Sequence, residues 1–325
     1  MENPESENFF IGSDFEGAEG MFQAPPEGEG LNQEAIDQKR RDAEIIPDAQ
    51  ERFERILQEK EWTLVQEPIA YPTLNEWVNF RIEHDRGTKF YPCFLEDADG
   101  NINFVKFQLS NKSGYLEELK REAFFLADEN SPTDNEIGLI EYQPPDEDSL
   151  AFLCARAIPF SEGRVVKDSE FSKDNAENAV KKIKELEEMP IDSLGQEVQN
   201  LSSFQTKRTP GQMMEDLVTR AQNQIHGQLK ERIINQYYGE ELREVLVHGD
   251  AKLKNIVCKK DGQTVFVDWG TCGKGFLGQD AAKLLLDVRR NEEVGNAVIQ
   301  AYTHDQKGNV DKERAGGLLF GVVIS

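Results

Sequence analysis

The chain predicts an α+β fold in two lobes. A small antiparallel β-sheet lobe with one helix comes first, and a mostly helical large lobe follows. Three observations lead there. Between Trp62 and Leu109, and again between Ile137 and Ala157, short apolar runs are separated by turn residues, as strands are. Beyond Pro159 the apolar residues recur at three- and four-residue spacing, the period of amphipathic helices. Within that helical half, Asn255–Cys258 and Gln263–Val267 flank Lys259-Lys260-Asp261-Gly262, and an Asp-Gly pair between apolar runs marks a hairpin.

In chain order, residues 1–50 read as an acidic, largely disordered tail, 51–158 as the small lobe and 159–325 as the large lobe. The tail holds 13 Asp and Glu against 3 Lys and Arg, and its first 30 residues are rich in Glu, Gly, Pro and Ser. Phe9-Phe10-Ile11 and Met21-Phe22 are apolar islands in it, able to dock on the protein itself or on a partner that the sequence does not specify. From Asn32 to Glu61 the pattern turns helical, broken by Pro47, with Phe53, Ile56 and Leu57 on one face. Trp77–Ile82 reads as β-like, the loop His84–Thr88 follows, and Tyr91–Leu95 and Asn101–Leu109 pair about Asp99-Gly100.

The third of these strands contains Lys106 among Phe104, Val105 and Phe107. A lysine inside an apolar strand is costly unless its ammonium finds a partner. The next helix, Tyr115–Ala127, supplies one. Tyr115, Leu119, Glu122 and Leu126 recur at spacings of four, three and four, so Glu122 sits in an inward apolar stripe while Glu117, Glu118 and Lys120 are free to face water. Ile137–Tyr142 and Leu150–Ala157 are further strands. The large lobe opens with a helix capped by Asp174 or Asn175 and faced by Ala176, Ala179, Val180, Ile183 and Leu186. A long helix is expected from Gln212 to Tyr238, and shorter ones over Ala281–Val288 and Asn291–Tyr302. The chain stops in the apolar run Leu318–Ile324. The large lobe is therefore expected either to be truncated or to close in a reduced way.

The chemistry gathers at Leu246-Val247-His248-Gly249-Asp250 and the hairpin after it. A hairpin brings its ends together, so Asn255 and Asp268 should converge, with Asp250 just before them. Two carboxylates and a carboxamide in one place suit Mg²⁺ and a proton acceptor for phosphoryl transfer.

The order His248-Gly249-Asp250, then Asn255, a hairpin and Asp268-Trp269 resembles the aminoglycoside phosphotransferase and choline kinase family. The resemblance implies a bilobal protein-kinase-like fold and an ATP- and Mg²⁺-dependent kinase. The acceptor would be a hydroxyl of a small, aminoglycoside-, choline- or sugar-like molecule. By the same resemblance Asp250 is the base, Asn255 and Asp268 hold Mg²⁺, and Lys106 with Glu122 orients the nucleotide phosphates. Gly87-Thr88 would cover those phosphates, backbone groups from Ala155 to Ala157 would meet the adenine edge, and Lys252 would neutralise the transferring phosphoryl. Asp280 matches the later segment that braces the catalytic loop. Lys252 departs from the histidine frequent at that position of the family.

Composition narrows the alternatives. The net charge of −24 excludes a nucleic-acid or anionic-membrane partner and leans towards a cationic acceptor. Cys93, Cys154, Cys258 and Cys272 form no C-x-x-C pair, and no run reaches membrane-spanning length, which predicts a cytoplasmic protein. Only Gly270–Gln279 separates the Asp268 motif from Asp280, and no Ala-Pro-Glu follows, which weighs against a protein kinase. A non-catalytic, pseudokinase-like module and an acidic interaction protein are the rivals, but neither needs Asp250.

Overall fold

The computed structural model describes residues 9–10, 32–65, 73–84, 87–112, 114–131, 138–159, 163–165, 170–201 and 243–324. The helix expected over Gln212–Tyr238 and the island at Met21-Phe22 lie outside them. The chain divides into two compact units, residues 1–127 with 133–164, and residues 128–132 with 165–325.

The first unit contains β1 (Phe9–Phe10), α1 (Gln33–Asp42), α2 (Ala49–Glu59), β2 (Thr63–Leu64), α3 (Leu74–Glu83), β3 (Phe90–Glu96), β4 (Ile102–Gln108), α4 (Tyr115–Ala127), β5 (Leu139–Gln143), β6 (Phe152–Arg156) and β7 (Ile158–Pro159). Five strands form an antiparallel sheet in the order β2-β3-β4-β6-β5. The backbone of Phe9–Phe10 pairs with Ile158–Pro159, so one apolar island of the tail meets this unit.

Register explains why the central strands lack clean alternation. Tyr91, Phe107 and Phe152 pair across one face. Phe53 of α2 packs edge-on against Tyr91 and Phe107, at ring centroids of 5.4 and 5.1 Å, and Trp77 of α3 meets Tyr91 at 5.3 Å. Pro92, Lys106 and Leu153 pair across the other face, which α4 reaches through Glu122. Helices cover both faces, so both side-chain sets are apolar.

Trp77–Ile82 is not a strand. It lies in α3, where Thr73 caps the helix by accepting from the Glu76 N–H at 3.1 Å. Leu74, Trp77, Val78, Arg81 and Ile82 are buried along one helical face. The first unit thus carries four helices among the described residues: α1 and α2 fall in the stretch read as helical, α4 is the expected helix, and α3 is the addition, because its aromatic and β-branched residues read as strand formers when taken singly.

The second unit contains β8 (Gly163–Val165, shared at the boundary), α5 (Lys173–Glu188), α6 (Gln196–Gln199), β9 (Glu244–Val247), β10 (Ile256–Lys259), β11 (Thr264–Phe266), β12 (Gly273–Phe276), α7 (Gln279–Val288), α8 (Glu292–Thr303) and α9 (Lys312–Ile324). Ser172, not Asp174 or Asn175, caps α5, and Asn175 completes a capping box with it. Strands β10 and β11 form the expected hairpin, and β9 pairs antiparallel with β12.

Glu187 of α5 is the polar hub of this unit. Its carboxylate accepts from Tyr302 of α8 at 2.8 and 2.9 Å, from the Gly278 N–H ahead of α7 at 3.0 Å, and from Arg314 of α9. Four helices or helix starts converge on one buried acid. The apolar C-terminal run falls in α9, where Leu318 and Phe320 are buried. Gly317 there touches Gly278, so closely that a Cβ on Gly278 would lie 2.4 Å from the Gly317 carbonyl carbon.

Candidate active site

In the second unit, β9 delivers the chain into His248-Gly249-Asp250, and α7 fixes that loop. The Asp280 carboxylate in the first turn of α7 accepts the N–H of His248 at 2.6 Å and of Gly249 at 3.0 Å. One turn along, Lys283 donates to the Gly249 carbonyl. Burial pushes the Asp280 carboxyl up to about 6, while Lys283 and the two N–H groups hold it back. Gly249 is at φ +83°, and a Cβ there would lie 2.2 Å from the Thr271 carbonyl oxygen, so the turn requires glycine.

His248 is wholly buried against Phe266 and Trp269. Its Nε2 lies 2.9 Å from the Val267 carbonyl, which can only accept, while Nδ1 lies 3.3 Å from the Asp250 N–H, which can only donate. The ring is therefore the neutral Nε2–H tautomer. Burial lowers its pKa to about 4. An uncharged imidazole is here a spacer that ties the loop to the hairpin.

The hairpin ties Asn255 to Val267, the neighbour of Asp268, through a hydrogen bond from the Val267 N–H to the Asn255 carbonyl at 3.0 Å. The Asn255 amide donates to the Asp250 carbonyl at 2.8 Å and to Asp250 Oδ2 at 3.1 Å. Asn255 is 0% exposed, yet its Oδ1 has no hydrogen-bond partner. An unpaired buried carboxamide oxygen costs about 1–3 kcal/mol. Asp268 adopts a left-handed backbone, φ 64° and ψ 63°, which non-glycine residues rarely do. Among the described residues no three His, Cys, Asp or Glu side chains form a metal cluster. A site of one carboxylate and one carboxamide instead suits Mg²⁺, which takes few protein oxygens and completes its shell with water and phosphate.

Two ammonium groups flank the Asp250 carboxylate. Lys252 Nζ lies 2.7 Å from Oδ1 and Lys283 Nζ lies 3.9 Å from it. Lys283 was not singled out from sequence. Its position three residues after Asp280, on the same helical face, is the signal that could have found it.

In the first unit, Lys106 and Glu122 form the expected buried pair, 2.7 Å apart, with the residues 5% and 4% exposed. Glu118 of the same helix does not simply face water, because its carboxylate meets Lys89 at 2.8 Å. Ala155 sits within the sheet, opposite Phe104 and Leu139, and Ala157 lies just beyond the end of β6. Gly87 and Thr88 line a cavity whose walls include neither Lys106 nor Glu122.

Residues 139–317 match the phosphotransferase enzyme family, more than half of the chain, and the matched stretch contains Asp250, Asn255, Asp268 and Asp280. No curated protein matches the chain in sequence. Among solved structures, a macrolide 2'-phosphotransferase of type I is 16% identical, with 86% of this chain and 91% of that one covered at a TM-score of 0.50. The GDP complex of an aminoglycoside 2'-phosphotransferase-IIIa is 15% identical, covering 73% and 80%, also at 0.50. A choline kinase from Streptococcus pneumoniae is 11% identical, covering 72% and 78% at 0.43. The first two share the kinase-like α+β bilobal fold. The chain belongs to the phosphotransferase enzyme family, as an enzyme that transfers a phosphoryl group to a hydroxyl acceptor.

Proposed function

We propose that the protein is an ATP- and Mg²⁺-dependent kinase for a small hydroxylated molecule. The observation that carries this reading is the unpaired buried Oδ1 of Asn255, beside the Asp250 carboxylate and across the hairpin from Asp268. A non-catalytic hairpin gains nothing from an orphaned oxygen there, whereas a hard cation satisfies it. Bound Mg²⁺ would neutralise charge on the β- and γ-phosphates.

Asp250 accepts the proton of the attacking hydroxyl. The Asn255 amide holds the Asp250 carboxylate from one side and Lys252 meets it from the other, so the base is oriented before the acceptor arrives. Lys252 also supplies positive charge against the negative charge on the oxygens of the transferring phosphoryl group. Lys106, fixed by Glu122, holds the nucleotide phosphates, and backbone groups around Ala155–Ala157 meet the base.

Local charge argues for a different acceptor from the one that net charge suggests. The body charge is screened beyond about 10 Å in ordinary salt. The two ammonium groups lie within 4 Å of the Asp250 carboxylate. A neutral, sugar-like acceptor is therefore the first class to test.

Thermal unfolding with and without ATP and Mg²⁺ tests the site. Ligand at about a hundred times its dissociation constant stabilises by roughly 2.7 kcal/mol. We expect a Mg²⁺-dependent rise in melting temperature that Asp268→Ala abolishes and Asp250→Asn keeps. ADP release with an accepted hydroxyl compound should be lost in Asp250→Asn. Full turnover in that variant would remove Asp250 from the mechanism, and a Mg²⁺-independent shift would remove the metal assignment.

A further inference from the structure

Between Asp250 and Asn255 the chain makes one closed arc. The Lys252 N–H donates to the Asp250 carbonyl at 2.8 Å, and the Asn255 N–H donates to the Lys252 carbonyl at 2.9 Å. The arc ends in a single 3₁₀ turn, Leu253–Asn255, from which the Asn255 amide reaches back to Asp250. The first N–H groups of such a turn have no partner inside it. Lys252, at its N-cap, supplies no side-chain hydrogen bond. The Leu253 N–H donates instead to Asp287 Oδ2 at 2.7 Å.

Asp287 lies in the last turn of α7, a turn that holds no basic residue. An acid there meets the negative end of the helix dipole, where a lysine or arginine is the favourable choice, so α7 itself gains nothing from it. Spacing gives the residue another use. Asp280, Lys283 and Asp287 follow one another at intervals of three and four, which places them along one helical face. Asp280 and Lys283 hold His248 and Gly249, before Asp250 in the chain. Asp287 holds Leu253, after it. One helical face thus grips the arc at both ends, across a stretch in which Ala251 and Leu253 are 0% and 7% exposed.

We propose that Asp287 is a positioning residue for metal binding, one that sets the 3₁₀ turn so that Asn255 Oδ1 stays available to Mg²⁺. This role rests on the reading of Asn255 as a Mg²⁺ ligand. The Asn255 side chain is wholly buried, and its amide is already committed to the Asp250 carbonyl and carboxylate. A side chain packed in this way is aimed by the backbone that bears it. Without Asp287 the arc would keep its hold before Asp250 and lose the one after it, and the Asn255 oxygen would swing with the turn.

Mg²⁺ and ATP are the probes. Thermal unfolding of the full chain at saturating ATP is followed over a Mg²⁺ titration. In Asp287→Ala the Mg²⁺ concentration at half of the shift should rise about fivefold or more, the scale of one lost hydrogen bond. The Leu253 amide should exchange its hydrogen about tenfold faster or more in the same variant. Asp287→Asn keeps an oxygen that can accept the Leu253 N–H, and should stay within about twofold of the parent on both measures. A lower melting temperature without ligand, beside an unchanged Mg²⁺ half-point, is what a merely structural acid gives, and would overturn the proposal. So would Leu253 exchange that ignores Asp287→Ala. An Asp287→Asn protein that behaves like Asp287→Ala would assign the effect to charge and overturn it too. A parent protein with no Mg²⁺-dependent shift ends the metal reading and the positioning role with it. A parent that shifts, beside an Asp287→Ala protein that shifts at the same Mg²⁺, ends the positioning role alone.

Discussion

The His248 ring can keep its two hydrogen bonds only while neutral, and its pKa of about 4 follows from burial. An unfolded histidine titrates near 6.5. The folded value is depressed, so the unfolded chain takes up the proton first. His248 therefore contributes stability above about pH 6.5 that is lost as pH falls towards 4, on the order of 3 kcal/mol in full. Asp280 has the opposite sign. Its folded pKa of about 6 is raised, so its contribution is present below about pH 4 and is lost as pH rises through 6. We expect the His248 ring protons, followed by NMR, to titrate near pH 4; a midpoint near 6.5 would mean that the ring is not enclosed. Neither shift was legible in the sequence, because burial of a side chain depends on what tertiary structure stacks around it. The Lys106–Glu122 pair was legible, since an inward lysine in an apolar strand must find an acid and one helical stripe offered it. Glu122→Ala should cost about 3–5 kcal/mol in denaturant unfolding by removing the buried acid that meets the Lys106 ammonium. A loss under 1 kcal/mol would show that water reaches the site.

Helix α7 acts as a clamp on the His248–Asp250 loop, since Asp280 takes two of its N–H groups and Lys283 one of its carbonyls. Lys283→Met should lower kcat at least tenfold with little change in the KM for nucleotide, because the loop carries Asp250, the base we propose, and not the proposed purine contacts. Equal changes in both would point to general destabilisation. Gly249→Ala meets Thr271 backbone as well as a positive φ, and should cost more than about 2 kcal/mol by chemical denaturation. The hairpin that carries Asn255 and Asp268 was legible in the sequence because Asp261-Gly262 specifies its turn. The α3 helix was not, because Trp77, Val78, Phe80 and Ile82 each favour strands and the Thr73 cap outweighs them only in context. The gathering of Gly87-Thr88 with Lys39 and Lys112 was hidden for a similar reason, since it joins α1 to residues more than 40 positions away.

At the scale of the whole molecule, the two units rest on different devices. The first is a sheet sandwiched by aromatic packing, whose loss at Phe53→Ala should cost about 3–5 kcal/mol. The second is gathered at one buried carboxylate, Glu187, that helices α5, α8 and α9 and the start of α7 all address. Composition gave no hint of that hub, because an acid in a chain with 61 acidic residues is unremarked until its neighbours are known. The fold class was readable because periodicity survives without contacts, and the catalytic order was readable because its spacing is local. The left-handed backbone of Asp268 sets one more limit on the molecule. A glycine would occupy that conformation with less strain, by about 1 kcal/mol, but would bring no carboxylate. Asp268→Gly should therefore regain that strain while giving up every contact of the carboxylate, and should bind no Mg²⁺-nucleotide in the thermal-shift assay. An aspartate held in a backbone shape that suits glycine is strain the chain carries for the sake of a carboxylate at this point.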